Sequence, residues 1–260
     1  MAIDEAMFRV AGRTAMPPTL RFYGWSGPSV SLGYFQCVEN EIDVAFCRRE
    51  GIDVVFRPTG GKAVYHDDDL TYAVVAGEEE GLFPPDILGT YRVISDCLIS
   101  GLRRLEVNTR YADEGREDDP DRIHASCFSV PSHFELLVDG RKICGSAQVR
   151  SRRAFLQHGS LLLTFDPVKT YDIMLPHREP REEQIRRLRE SVTALRDHLL
   201  AGADLHQRIC TVLKGAFAEH FQAVFREEGL TPQEEDIKEQ LLQTKYRSGP
   251  TGLRKKRRGS

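Results

Sequence analysis

Apolar residues recur at helical spacing along residues 2–12, where Ile3, Ala6, Met7 and Val10 form one stripe and Gly12 closes it; the period predicts a helix. Residues 20–25 and 30–34 read as two strands joined by a Ser-Gly-Pro turn. Residues 42–49 predict a short amphipathic helix ended by Gly51, and residues 54–57 a strand running into Pro58-Thr59-Gly60-Gly61. A further strand is expected at 70–76. Residues 85–105 predict the longest early helix, with Ile87, Leu88, Tyr91, Ile94, Leu98 and Leu102 on its apolar side. Residues 107–126 are polar, with an acidic run over 113–121, and predict a long surface loop. Residues 134–138 and 141–149 read as extended. The Asp139-Gly140 pair between them predicts a hairpin, because both turn positions tolerate φ > 0. That register sets Val138 opposite Arg141 and Leu137 opposite Lys142. Residues 155–165 continue the sheet. Charged helical patterns then run through 181–200, 204–225 and 232–243, ahead of a basic tail. Strands in mixed order followed by helices predict an α+β fold rather than a doubly wound sheet.

At 260 residues the chain can bury a sizeable core without staples. A net charge of −3 argues against a dedicated nucleic-acid binder. Six cysteines include no C-x-x-C pair, which disfavours a zinc ribbon or a thioredoxin-type site. Asp4, Glu5, Arg9 and Arg13 interrupt the first stretch, so no signal peptide is visible. No apolar run reaches membrane-span length. These features predict a soluble cytoplasmic protein with reduced thiols.

Three clusters could carry chemistry. Cys127 stands fifteen residues before Lys142. A free thiol with a pKa of about 8.5 is only a few per cent thiolate near pH 7, and a nearby ammonium favours the thiolate. The hairpin register alone does not bring Cys127 to Lys142; a chain reversal near Pro131-Ser132 would be needed. Cys144 is the rival nucleophile, because residues i and i+2 share a strand face. For either thiol the plainer role is a small buried hydrophobe. The second cluster is the run from Arg57 to His66, in which Gly60-Gly61 would let backbone amides approach a ligand and Arg57, Lys62 and His66 add polar groups. Alone it reads as a tight hairpin turn, and it lacks the Walker pattern. The third cluster is Gly145-Ser146-Ala147-Gln148 with Gln157-His158-Gly159-Ser160, where small residues suggest close approach of a ligand or another chain segment. His158 would orient a substrate group or be a satisfied core histidine; taken singly, the core role is preferred.

Taken together, the clusters resemble the lipoate–biotin cofactor transferase superfamily, and within it the octanoyltransferases. The resemblance rests on Met1-Ala-Ile-Asp-Glu-Ala-Met7, Leu20-Arg-Phe-Tyr-Gly-Trp25, Ser31-Leu-Gly-Tyr-Phe-Gln36, Arg57-Pro-Thr-Gly-Gly-Lys-Ala-Val-Tyr-His66, Leu70-Thr-Tyr72, Cys127-Phe-Ser-Val-Pro-Ser132, Gly140-Arg-Lys-Ile-Cys-Gly-Ser-Ala-Gln148 and Leu156-Gln-His-Gly-Ser160, in the family order. Such relatives usually carry a strand and an Asn ahead of the first of these motifs. This chain starts inside it, so a truncated start or one strand fewer is expected.

The resemblance implies an α+β fold with a mixed or antiparallel sheet flanked by helices, of the class II aminoacyl-tRNA synthetase and biotin synthetase kind. It implies a catalytic domain over 1–180, a helical segment over 181–245 packed on it, and a flexible basic tail over 246–260. It gives Cys127 the acyl thioester and Lys142 the role of lowering its pKa. Arg57, Gly60, Gly61, His66, Ser146, Ala147, Gln148 and His158 would bind the substrate, and Cys144 becomes a packing residue. The implied activity transfers an octanoyl group from octanoyl-acyl carrier protein to the lipoyl-domain lysine of an acceptor such as the glycine cleavage H protein. No cofactor or metal, no nucleic acid and no membrane is implied, and the enzyme is expected as a monomer. Burying roughly six methylenes of the acyl chain at about 0.8 kcal/mol each would supply on the order of 5 kcal/mol. The alternatives are an ATP-dependent lipoate–protein ligase, an amidotransferase between lipoyl-domain proteins, and a non-enzymatic binding protein using the basic run Arg254-Lys-Lys-Arg-Arg258.

Overall fold

A computed structural model of the chain describes residues 1–78, 81–112, 135–175, 177, 180–199 and 204–246. Cys127 and its motif, most of the acidic loop and nearly all of the basic tail lie outside the described residues.

The strands form two sheets. The larger is antiparallel throughout, with spatial order β1 (Thr19–Tyr23), β5 (Asp69–Gly77), β9 (Ala154–Leu162), β8 (Arg141–Arg150), β7 (Leu136–Val138) and β6 (Thr109–Tyr111). The smaller sets β2 (Ser29–Leu32) between β3 (Asp53–Phe56), to which it is parallel, and β4 (Val64–His66), to which it is antiparallel. The two early strands therefore do not form one hairpin: β1 joins the large sheet and β2 the small one. The chain at 109–111, expected as loop, is the edge strand β6.

One face of the large sheet carries the main apolar core. Leu70, Tyr72 and Val74 of β5 pack with Ile94, Leu98 and Leu102 of α4 (Ile87–Arg104) and with Leu213 and Phe217 of α7 (Leu205–Phe221). Helix α4 begins where Asp86 caps the Gly89 amide at 2.7 Å, satisfying one of the orphan donors of the first turn. The opposite face receives α1 (Ala2–Ala11), whose Met7 packs on Ala73, Val75 and Leu156. Helix α1 also buries Asp4 and Glu5. The small sheet covers the rest of that face, with α2 (Val38–Glu41), α3 (Val44–Arg49) and α5 (Pro167–Ile173) packed behind it. Helix α6 (Arg181–Ser191) lies on α5 through Ile185, Leu188 and Tyr171. Helix α8 (Pro232–Leu241) starts with a Thr231–Glu234 capping box and returns Leu241 to Ala2 and Ala6 of α1.

The Asp139-Gly140 hairpin forms in the expected register, Val138 opposite Arg141 and Leu137 opposite Lys142, with φ of +50° and +76° at the two turn residues. One residue further the register shifts, and Leu136 pairs with Cys144 rather than with Ile143. This β-bulge overturns the expected sharing of a face by Lys142 and Cys144. Directly opposed residues point to one face and successive residues to opposite faces. Leu136 and Leu137 are successive, so their partners Cys144 and Lys142 face opposite ways. The bulge re-aims the lysine. Cys144 enters the α4–α7 core with Leu136, Val138 and Ile143. Lys142 turns to the face that carries Ala147, His158 and Ser160.

Candidate functional site

Polar residues concentrate where the small sheet closes over that second face of the large one. Strand β3 leads into the Arg57–Lys62 turn, and the turn is organised by Arg57 from within. Its Nε and Nη2 donate to Gly60 O at 3.1 and 2.9 Å, Nη2 donates to Lys62 O at 2.6 Å, and Nη1 donates to Ser31 O at 2.9 Å and Ser31 Oγ at 3.2 Å. Only 4 % of Arg57 is exposed. Its guanidinium fork thus matches backbone oxygens rather than standing in solvent. Gly61 has φ +91°, and a Cβ added to Gly33 would lie 2.0 Å from Gly61 O, so the two backbones touch where no side chain fits. A trans peptide sets its N–H opposite its C=O. With the Gly60 and Lys62 carbonyls on Arg57, the amides of Gly61 and Ala63 are directed away from it.

Two chains of hydroxyl, imidazole and carboxylate flank this turn. In the first, Ser31 Oγ lies 2.8 Å from His66 Nε2, and His66 Nδ1 lies 2.9 Å from Asp69 Oδ2. A carboxylate only accepts, which puts the hydrogen on Nδ1 and leaves Nε2 to accept from Ser31. Trp25 stacks on His66 with ring centroids 4.0 Å apart, and its Nε1 donates to Thr71 Oγ1 at 3.0 Å. In the second chain, Thr59 Oγ1 lies 2.7 Å from His158 Nε2, and His158 Nδ1 lies 3.5 Å from Asp4 Oδ2. The last distance is a charge–dipole contact rather than a formed hydrogen bond. Asp4 also accepts from Arg21 Nη1 at 2.5 Å and from Tyr23 OH at 2.6 Å. Burial by itself would push the Asp4 carboxyl up; His158, the Met1 amino group and Arg21 together outweigh it and hold the group well below its usual range. Burial likewise takes His158 below its ordinary 6.5, against the raising pull of Asp4.

Lys142 is 1 % exposed, and its Nζ donates to Glu135 Oε1 at 2.5 Å. Glu135 is itself buried, and its Oε2 has no hydrogen-bond partner among the described residues. The pair faces the same side of the sheet as His158, Ala147 and the Gly60-Gly61 turn; a Cβ on Gly61 would come 4.0 Å from Ala147 Cβ. Ser146 and Gln148 stand on the other face. Ser146 Oγ meets Tyr72 OH at 2.7 Å, Gln148 Nε2 donates to Gln157 Oε1 at 2.9 Å, and Gln157 Nε2 donates to Tyr72 OH at 3.2 Å. The candidates named from sequence thus fall into two groups. Arg57, Gly60, Gly61, His66, Ala147 and His158 gather where the turn and the small sheet meet the large one, with Lys142 on the same face of the large sheet, while Ser146 and Gln148 lie on its α4 side. Cys144 is enclosed in that side's core, and burial pushes its thiol up to about 12. Burial of this kind disfavours the thiolate that a nucleophile needs.

Sequence reasoning missed Asp4, Ser31, Thr59, Asp69 and Glu135 as members of this assembly. Asp4 interrupts the apolar stripe of α1 and was readable as an odd buried acid. Glu135 looks like the polar end of a strand, and it shares a face with Leu137, the partner of Lys142. A cleft of about 720 Å³ lies elsewhere, between the Gly81–Pro85 loop and the end of α7, with Leu82, Phe83, Val93 and Phe221 in its wall. It contains none of the residues nominated from sequence. Among the described residues no cluster of His, Cys, Asp or Glu is placed to hold a metal ion, and no helix is long and apolar enough to cross a membrane.

Residues 1–218 match the family described as the lipoyl protein ligase A/B catalytic domain. The chain is 40% identical over 260 residues to an octanoyltransferase LipM of Kyrpidia tusciae, covering 98% of this chain and 94% of that one. It is 35% identical to octanoyltransferase LipM of Bacillus subtilis, covering 95% and 91%. Among solved structures, the bipartite lipoate protein ligase of Thermoplasma acidophilum, studied with its E2 lipoyl domain, aligns with TM-score 0.80 and 28% identity over 99% of this chain and 92% of that one. A lipoate-protein ligase A bound with ATP aligns with TM-score 0.78 and 27% identity over 97% and 93%. These likenesses bear out the class II synthetase-like α+β fold. By sequence over nearly its whole length, and by a fold that sets its glycine turn against the lysine strand, the chain belongs to the lipoyl protein ligase A/B catalytic-domain family.

Proposed function

We propose that the protein is an acyltransferase that moves an octanoyl group onto the lipoyl-domain lysine of an acceptor protein, in protein lipoylation. The observation that carries this reading is similarity to octanoyltransferases along nearly the full chain. The acceptor class is supported further by the lipoyl domain that accompanies the Thermoplasma ligase. The donor in this reading is octanoyl-acyl carrier protein, and the enzyme acts as a monomer.

The chemistry runs in two half-reactions. The Cys127 thiolate attacks the thioester carbonyl, the carbonyl becomes an oxyanion, and its collapse expels the pantetheine thiolate, which takes up a proton. The lysine amine of the lipoyl domain, in its neutral form, then attacks the acyl-cysteine. Collapse of the second oxyanion releases the Cys127 thiolate, and the amide nitrogen loses its extra proton. A thioester is already an activated acyl donor, so neither step draws on ATP. Lys142 supplies the cation that favours the thiolate. The Gly61 and Ala63 amides, aimed away from Arg57, are the donors we assign to the oxyanion. Gly60, Gly61, His66 and Ala147 shape the pocket on the lysine face, and Arg57 holds the glycine turn in place from within.

The test is transfer assayed with octanoyl-acyl carrier protein and a lipoyl domain, with and without ATP. ATP-independent octanoylation supports the proposal. Octanoylation from free octanoate that requires ATP would replace it with the ligase reading.

A further inference from the structure

The two hydroxyl–imidazole–carboxylate chains end on the same object. Ser31 ends on Arg57, which grips the Gly60 and Lys62 carbonyls; Thr59 is itself the residue before Gly60-Gly61. Neither hydroxyl is placed as a nucleophile. Ser31 Oγ accepts from Arg57 and is 2 % exposed, and Thr59 is 0 % exposed. Both chains are buried at every member; in the second, His158 Nδ1 reaches Asp4 only at 3.5 Å, so the hydrogen bond that holds is the one between Thr59 and His158.

The Thr59 chain crosses three parts of the fold. Asp4 comes from α1, His158 from the middle of β9, and Thr59 from the turn after β3. The Thr59 carbonyl accepts from the Tyr34 amide at 2.9 Å, which ties the turn to the end of β2. The Thr59 side chain therefore links the turn to the large sheet, on which Ala147 and Lys142 stand. The imidazole faces an acceptor-only carboxylate through Nδ1, so Nε2 accepts and the Thr59 hydroxyl donates.

We propose that Thr59 and His158 are positioning residues that register the Gly60-Gly61 turn against the lysine-bearing sheet, so that the turn amides meet the acyl carbonyl in a preset place. His158 thereby acts through Thr59 and not by touching substrate. The catalytic consequence rests on the transferase reading above; the structural link does not.

Thr59→Val keeps the shape and removes the donor, and Thr59→Ser keeps the donor. Hydrogen exchange of the peptide spanning residues 57–64 reads the link without any activity. Thr59→Val and His158→Gln should each raise exchange there, and Thr59→Ser should leave it near that of the parent protein. Kinetics normalised to the acyl-enzyme burst should show kcat reduced about tenfold in Thr59→Val with KM little changed, and restored in Thr59→Ser. The Thr59→Val/His158→Gln double variant should be no slower than the worse single, as for two residues acting through one contact. Equal exchange in all variants would overturn the link. Altered exchange with unchanged kcat, or losses that multiply in the double variant, would overturn its role in transfer. If the exchange contrast holds while the parent protein transfers no octanoyl group, the link stands and the transferase reading is what fails.

Discussion

The two faces of strand β8 use neighbouring residues for opposite purposes. Toward α4 and α7, Ile143 and Cys144 join an apolar core in which burial pushes the thiol up to about 12. On the opposite face, Lys142 is equally enclosed but meets a carboxylate, and the same face of the sheet carries His158 and Ser160. Burial is nearly the same on the two sides; what differs is the supply of polar partners. A buried charge persists only where partners offset its desolvation. One inserted residue in the β7–β8 ladder decides which side chain goes where.

The comparison can be broken by experiment. The largest effect is expected on the polar face. Lys142→Ala should lower turnover by about 10²- to 10⁴-fold, the range for removing a group that handles charge and protons at the reacting centre, or move the pH optimum upward; Cys127→Ser should abolish the acyl-enzyme. Steady-state rates across pH check both. Glu135→Gln comes next, because it leaves the Lys142 ammonium buried without its carboxylate. A stability loss of about 3 kcal/mol is expected for breaking a buried pair from one side, read from urea unfolding. If Glu135→Gln is as stable as the parent protein, the pair contributes nothing and the contrast between faces weakens.

A smaller effect concerns pH. His158 is held below its ordinary 6.5 in the folded protein, so the unfolded chain binds the proton first. Stability from this group is therefore full above about 6.5 and falls as pH drops toward the folded value. Asp4 is depressed as well and contributes stability above its ordinary 3.8 that is lost as pH falls below it. Thermal melts of the parent protein should decline from pH 7 to pH 5, and His158→Gln should flatten that decline while leaving the steeper acid limb. The smallest effect is on the apolar face: Cys144→Ala should leave turnover unchanged and cost only about 1 kcal/mol through a small cavity, measured by the same urea titration. An inactive Cys144→Ala beside an active Cys127→Ser would reverse the assignment.

Much of this fold was legible in local pattern. The Asp139-Gly140 turn and its register follow from two residues that tolerate positive φ. Helix α4 follows from its period, although its start moved inward from Pro85 to Ile87 behind the Asp86 cap. The bulge was not legible, because no residue type demands an extra position between Lys142 and Cys144. Strict alternation then put Lys142 and Cys144 on one face. Strand β4 was missed because three residues, Val64–His66, carry too little period to register. The split of β1 and β2 between two sheets was hidden as well: a short turn signal says that two strands are consecutive, not that they pair. Glu135 and Asp4 became visible as site residues only when tertiary contacts gave them partners.

The central claim is that Cys127 carries the octanoyl group and that Lys142, on the polar face, makes it competent. Intact-protein mass spectrometry after mixing with octanoyl-acyl carrier protein, without ATP, tests it most directly. The account predicts a mass gain of one octanoyl group located on Cys127 by peptide mapping, lost in Cys127→Ser and strongly slowed in Lys142→Ala. An unmodified Cys127, or an octanoyl group found on Cys144, would contradict it.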